Sequence, residues 1–274
     1  MQSTVLHAVE LQGNRSGMAT TLSNKTTSAR ATARYTSIVR PILDAAIDLC
    51  QGSEELRFGE PVACVYNPLT YAWASHKRYV ERFAGGPKQA VFMGMNPGPW
   101  GMAQTGVPFG EVAMVRDWLG IHERIDRPPM EHAKRPIEGF ACTRSEVSGR
   151  RIWGLFQDRF TSASRFFRNH YVANYCPLVF METSGRNRTP DKLPVAEAAP
   201  LYAICDHHLV RVVELLKPRW LIAVGAFAHR RAAEALNGHD VQIARILHPS
   251  PANPAAHRDW AGQVTSELQR LGIW

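Results

Sequence analysis

The sequence predicts an α/β fold with a central, mainly parallel sheet flanked by helices. Three observations carry this. Apolar runs of strand length recur at Ala90–Met93, Tyr171–Val179, Trp220–Val224 and Val241–Leu247, short and bounded by turn signals as buried strands are. Segments with a helical apolar period alternate with them, as in βαβ units. Polar residues that could serve a ligand (Asn96, Asn174, His248) cluster where these strands end, and in such sheets ligands bind beyond the carboxyl ends of the strands.

Taken in order, Ile38, Ile42, Leu43, Ala46, Ile47 and Leu49 follow a helical period from Ile38 to Cys50, with Gly52 placed to close the helix. Val62–Tyr79 carries Tyr66, Tyr71, Trp73 and Tyr79 interleaved with His76, Lys77 and Arg78. Such a mixture can face nucleic acid, but core or rim packing is the default for most of these rings. Gly85-Gly86-Pro87 breaks the chain before the first strand. A helix-like segment, Glu111–Leu119, has Gly120 at its C-terminal cap position. The stretch to Gly149, with Pro128, Pro129 and Pro136, reads as a loop. Arg150–Asn169 reads as one helix with Trp153, Phe156, Phe160, Phe166 and Phe167 on its apolar positions, and Ser184–Arg188 as a basic, solvated turn. Helices are expected over Ala196–Leu216, over Ala226–Leu236 with Asn237-Gly238 as its stop, and over Ala255–Leu271.

Length and composition bound the rest. At 274 residues the chain is expected to form one domain over 34–274 behind a poorly ordered tail, 1–33, rich in Ser and Thr and poor in apolar residues. Met18 is an alternative start, and the tail lacks the apolar core of a secretory signal. The net charge of +8 favours anionic partners, above all nucleic acid. No apolar run approaches membrane-span length. Cysteine usage leads one to expect an intracellular protein, in the cytoplasm with the nucleoid or in the nucleus according to host. The five cysteines, Cys50, Cys64, Cys142, Cys176 and Cys205, include no CxxC pair. That spacing reads as reduced thiols and argues against a zinc site or an iron–sulfur cluster.

The candidate site centres on Val91–Val112, VFMGMNPGPWGMAQTGVPFGEV, a strand emptying into a loop crowded with glycine and proline. Its uncharged polar side chains are Asn96, Gln104 and Thr105, and it contains no lysine, aspartate or cysteine. Backbone N–H groups, an Asn and the rings of Trp100 and Phe109 suit a flat, neutral, hydrogen-bonding ligand better than a triphosphate. A structural loop is the alternative, since Gly and Pro mark turns everywhere; the length and constraint of this one favour a site. Asn174 and His248 end later strands, so one common site with Asn96 is plausible.

Five strings together resemble the single-strand-selective monofunctional uracil-DNA glycosylases: GMNPGPWGMAQTGVPFGEV at 94–112, YNPLTYAW at 66–73, SEVSGRRIWG at 145–154, SGRNRTP at 184–190 and HPSPANP at 248–254. The resemblance runs from about Val62 to the C-terminus. It implies the three-layer α/β sandwich of the uracil-DNA glycosylase superfamily, and removal of uracil and 5-substituted uracils such as 5-hydroxymethyluracil from single- or double-stranded DNA, leaving an abasic site. It further implies that Asn96 orients the attacking water and His248 faces the uracil O2. Phe109 would stack on the flipped base, Asn174 would read its hydrogen-bonding edge, and Met95, Pro97 and Gly98 would form the wall of the pocket and water site. The segment Pro251–Trp260 matches the wedge that enters the duplex. DNA contacts are accordingly expected at Ser250, Pro251, Ala252, Asn253, Pro254, His257 and Arg258. The chain departs from the family at Trp100, where a Phe is familiar, and at Ala252, where the wedge commonly carries Arg, which weakens one expected phosphate or base contact.

No lysine in either motif is placed to attack C1′ as an amine, so a monofunctional enzyme without a Schiff base is expected. No cofactor and no metal are needed, and the partner is DNA bearing uracil or oxidised pyrimidines, engaged by a monomer. The competing reading is a non-catalytic nucleic-acid-binding module on the same scaffold, against which the paired Asn96 and His248 argue. A phosphate-binding hydrolase would need a P-loop lysine and carboxylate metal ligands that the loop lacks.

Overall fold

The strand Ala90–Gly94 is buried at all five positions, so both of its faces need cover, as in the centre of a parallel sheet. In the computed structural model, which describes residues 38–251 and 254–274, it has that place. The elements run as α1 (38–54), β1 (Val62–Tyr66), α2 (Pro68–Tyr71), α3 (Trp73–Phe83), β2 (Ala90–Gly94), α4 (Met102–Thr105), α5 (Val147–Phe160), α6 (Ala163–Asn169), β3 (His170–Asn174), β4 (Val179–Glu182), β5 (Asn187–Arg188), α7 (Val195–Leu216), β6 (Trp220–Val224), α8 (Ala226–Ala235), β7 (Gln242–Ile246) and α9 (Trp260–Arg270). Four strands, in the order β3-β2-β6-β7, form a wholly parallel sheet flanked by helices. A hydrophobic cluster extends from Ile42 to Ile273 across it. The expected tail, 1–33, lies outside the described residues.

The α/β class and the parallel sheet are as the sequence predicts, and four local expectations are corrected. The apolar run Tyr171–Val179 is not one strand. It leaves the parallel sheet after Asn174, passes Pro177, which cannot donate to a ladder, and resumes as β4 in a second, antiparallel sheet of order β1-β4-β5. The helix expected over Arg150–Asn169 begins earlier and breaks at Thr161, whose φ of 64° ends α5 before Ser162 opens α6. Gly52 does not end α1; it lies within the helix, where a Cβ would come 3.3 Å from Ile204 of α7. The segment before Gly120 winds as a π-helix over Met114–Trp118, closed by the Leu119 N–H to Met114 carbonyl bond. Tyr66, Tyr71 and Tyr79 are buried, which settles those three rings as core.

Two histidines are buried in this frame. His76 hydrogen-bonds through Nδ1 to the Gly106 carbonyl at 3.0 Å. His170 is packed among Phe92, Phe160 and Phe166. Burial pushes both rings down to about 4. Between pH 6.5 and 4 the unfolded chain therefore binds more protons at these rings than the folded one, and stability is lost as the pH is lowered through that window. We expect urea midpoints to drop from pH 7 to pH 5, and the drop to be shallower in His170→Phe, which keeps an aromatic ring without the titration. An equal drop in the variant would remove His170 from the acid sensitivity.

Candidate active site

A parallel sheet delivers all its carboxyl ends to one edge, and here each of the four ends contributes to one pocket of about 410 Å³. β2 leads into Met95, Asn96, Pro97 and Gly98; β3 ends on Asn174; β6 ends on Val224 before Gly225; β7 leads to His248 and Ser250. In register, Gly94 pairs with Asn174. The ladder continues beyond it, with the Tyr175 N–H bonded to the Gly94 carbonyl and the Cys176 N–H to that of Met95. The first turn of the glycine loop is thus clamped by the neighbouring strand.

The remainder of the loop is held by side chains. Gln104 is fully buried and satisfies its whole amide: Nε2 donates to the carbonyls of Pro99 and Pro136, and Oε1 accepts from the N–H groups of Glu138 and Gly139. Thr105 donates to the Gly110 carbonyl at 2.9 Å. Of the three uncharged polar side chains in the loop, Gln104 and Thr105 are therefore structural and only Asn96 lines the pocket. Phe109 adopts a φ of 53°, which a non-glycine residue holds only when its surroundings fix it. Its carbonyl accepts from the Glu111 N–H at 2.7 Å and from Trp153 Nε1 at 3.1 Å. The ring meanwhile lies against Gly94, where a Cβ would stand 2.5 Å from the ring and 2.7 Å from Asn174 Oδ1.

Hydrogen bonding fixes the polarity of two groups. Carbonyls only accept, so the bond of Asn96 to the Leu178 carbonyl at 3.1 Å assigns Nδ2 to that contact and leaves Oδ1 as the acceptor. The Ser250 N–H donates to His248 Nδ1 at 3.1 Å, so the neutral ring carries its proton on Nε2. Burial holds the His248 ring below its usual value, and it is neutral at pH 7. Gly225, at φ 95°, lets this imidazole approach the end of β6, since a Cβ there would come 3.2 Å from that of His248. The amide of Asn174 lies 3.3 Å from the Met102 thioether through Nδ2.

Of the residues singled out in the sequence, Met95, Asn96, Pro97, Gly98, Phe109, Asn174, His248 and Ser250 all line the pocket. Pro251, Pro254 and Arg258 are exposed beyond it. Ala252 and Asn253 lie outside the described residues, and of His257 only the backbone, in a 3-10 turn, is described. Arg151 ties this segment to α5 by donating to the Pro249 carbonyl at 2.8 Å.

Sequence reasoning missed Met102, Glu146, Ser148, Asn187, Thr189 and Phe227 in the lining. Glu146, Ser148, Asn187 and Thr189 fall in the strings SEVSGRRIWG and SGRNRTP, which carried the resemblance without a role assigned. Glu146 lies flat on the loop, and a Cβ on Gly98 would overlap its carboxyl. Burial holds that carboxyl above the usual carboxylate range, against the stabilising Trp100 N–H and with the Glu111 charge adding to the rise.

The family model of the uracil DNA glycosylase superfamily matches residues 85–268. A single-strand selective monofunctional uracil-DNA glycosylase of Rattus norvegicus is 48% identical over 239 residues, 86% of either chain. Its counterparts from Mus musculus and Bos taurus are 47% and 46% identical, each over 86% of this chain and over 86% and 88% of their own. The crystal structure of WT Pedobacter heparinus SMUG2 shares the fold at a TM-score of 0.58 and 16% identity, covering 84% of this chain and 99% of that one.

The close packing at the end of β2 is open to a direct check. Gly94→Ala is expected to cost about 1–3 kcal/mol through overpacking against Phe109 and Asn174, read as a lower urea midpoint. An unchanged midpoint would mean that neither side chain is held against the strand end.

Proposed function

The chain belongs to the uracil-DNA glycosylase superfamily and, within it, to the single-strand-selective monofunctional uracil-DNA glycosylases, and from that premise we propose how its pocket works and on what. It is a monofunctional DNA glycosylase of base-excision repair. Its proposed substrates are uracil and 5-substituted uracils, including 5-hydroxymethyluracil, in single- or double-stranded DNA, and its proposed product is an abasic site. The same reading has the chain act as a monomer, inside the cell and without a cofactor. The observation that carries it is the convergence of Asn96, Asn174, His248 and the Phe109 ring on one pocket.

The scissile C1′–N1 bond is hidden in the base stack, so the nucleotide must be extruded, at a cost of a few kcal/mol; glycosylases are the standard example of this. Stacking on Phe109 would return on the order of 1–3 kcal/mol. The Asn174 amide offers a donor for the uracil O4 and an acceptor for N3–H. Cytosine presents the opposite polarity at those two atoms, so a fixed amide rejects it. Met95, Pro97 and Gly98 close the pocket around the ring.

Bond cleavage leaves an oxocarbenium-like sugar and a uracil anion whose charge grows on O2. The Nε2–H of neutral His248 is the proposed donor to that oxygen. A donor aimed at developing charge is worth roughly 3–4 kcal/mol. Asn96 cannot take up a proton as a carboxylate does. Its Oδ1 accepts a hydrogen bond from water and turns the water oxygen toward C1′. Leaving-group stabilisation therefore supplies more of the rate than base catalysis. The segment Pro251–Trp260 is the proposed wedge that fills the vacated stack, and Ser250, Pro251, Ala252, Asn253, Pro254, His257 and Arg258 are the proposed DNA contacts.

Two measurements test these roles. His248→Ala is expected to lower the single-turnover rate of uracil release by orders of magnitude. A loss under about tenfold, roughly 1.4 kcal/mol, would sink the role of His248, and near-normal excision by Asn96→Ala would remove Asn96 from the chemistry. Borohydride is expected to trap no covalent DNA complex, and excision is expected to persist in EDTA. Binding of uracil-containing DNA without base release would replace the enzyme by a non-catalytic binding module.

A further inference from the structure

Trp100 stands two residues beyond Gly98, a residue of the pocket lining, at a position where the family resemblance leads one to expect a phenylalanine. Its indole is half-buried and carries two guanidiniums, Arg135 at 5.1 Å and Arg144 at 4.9 Å from the ring centroid. Both distances fall within cation–π range. The two charges are thus no more than about 10 Å apart, within one Debye length at 0.1 M salt. Several other arginines of the chain are neutralised locally, among them Arg116 by Asp117, Arg124 by Asp126, Arg127 by Glu131 and Arg188 by Glu182. Arg135 and Arg144 have no such ion pair among the described residues. Arg135 donates through one terminal nitrogen to the Lys134 carbonyl, and its Nε is buried without a partner. Arg144 is exposed.

The position of this cluster is fixed relative to the pocket. Gln104 ties Pro99 to Pro136, the neighbours of Trp100 and Arg135. The Glu146 carboxyl, which lines the pocket, accepts the Trp100 N–H two residues from Arg144. All three members of the stack are therefore anchored to the loop that carries Asn96.

We propose that Arg135 and Arg144, oriented by the Trp100 face, grip a backbone phosphate of the DNA strand beside the extruded nucleotide, as a second anchor in addition to the wedge. A planar guanidinium held on an aromatic face has lost orientational freedom before it binds, and its fork matches phosphate oxygens. A phosphate between the two cations also relieves their mutual repulsion. The inference rests on the reading of the pocket as a uracil site in DNA, but concerns the strand and not the base.

The test is fluorescence anisotropy of a labelled single-stranded oligonucleotide carrying a non-hydrolysable 2′-fluoro-deoxyuridine, titrated from 50 to 200 mM KCl. Arg144→Ala, at an exposed position, is expected to weaken binding severalfold. It should also lower the slope of log K against log salt by about 0.7, the value for one phosphate on a single strand. Trp100→Ala is expected to weaken binding comparably, while Trp100→Phe, which keeps a ring face, retains most of it. An affinity and slope for Arg144→Ala equal to wild type would overturn the proposal, as would wild-type binding by Trp100→Ala. Uracil release by the wild-type chain, measured on the same sequence with ordinary deoxyuridine, separates the two readings. Release with an unchanged Arg144→Ala slope removes only the anchor. No release, with the slope lowered, removes the glycosylase reading and keeps the phosphate contact.

Discussion

The parallel register of β3, β2, β6 and β7 is the constraint on which the site depends. Residues 96, 174 and 248 are far apart in the chain, and nothing local brings them together. A sheet whose strands all run the same way collects their carboxyl ends at one edge. The pairing of Gly94 with Asn174 then sets how far the edges of two elements stand apart. A slip of one residue would turn Asn174 to the other face of the sheet. The glycine loop has little regular structure of its own, and it is positioned by what surrounds it: the β3 ladder at its start, the Gln104 amide in its middle and the Phe109 carbonyl near its end.

Neutral groups dominate the pocket, and this follows from how they are held. Asn96 and His248 each spend one polar atom on the backbone, on the Leu178 carbonyl and the Ser250 N–H, and that bond decides what the other atom can offer. Burial keeps the imidazole uncharged, and burial also raises the carboxyl of Glu146. The positive charge of Arg135 and Arg144 is held beside Trp100, outside the pocket lining. A site that must let a neutral base leave as an anion gains from this division. A full negative charge beside the leaving oxygen would oppose the step, whereas cations outside the lining attract the polymer without entering the chemistry.

Much of this was legible in the sequence, for identifiable reasons. β2 and β6 are short, wholly apolar and bounded by glycine, so their type and limits follow from composition. Asn96, Asn174 and His248 were legible because strand ends are where such sheets use polar residues. Tyr171–Val179 was misjudged because Asn174, Tyr175 and Cys176 continue the ladder before Pro177 ends it, and apolar content alone does not mark a change of sheet. The break at Thr161 depends on a left-handed backbone that threonine rarely adopts, so no residue signals it. Glu146 and Gln104 were not legible as pocket wall and loop clasp, since their partners lie 48 and 32 to 35 residues away on segments without periodic pattern.

The order Asn96-Pro97 has a further consequence, for the chemical lifetime of the protein. Asparagine side chains are lost over time when the backbone nitrogen of the next residue attacks the amide carbon, closing a succinimide that opens to aspartate. That nitrogen in Pro97 bears no hydrogen, so the ring cannot close at residue 96. An aspartate there would hold a permanent anion in the wall that now offers a neutral acceptor. Asn237, exposed and followed by Gly238, has the most permissive neighbour for the same reaction. Of these two asparagines the route is open to the one on a surface turn, and the Asn96 amide in the pocket is spared.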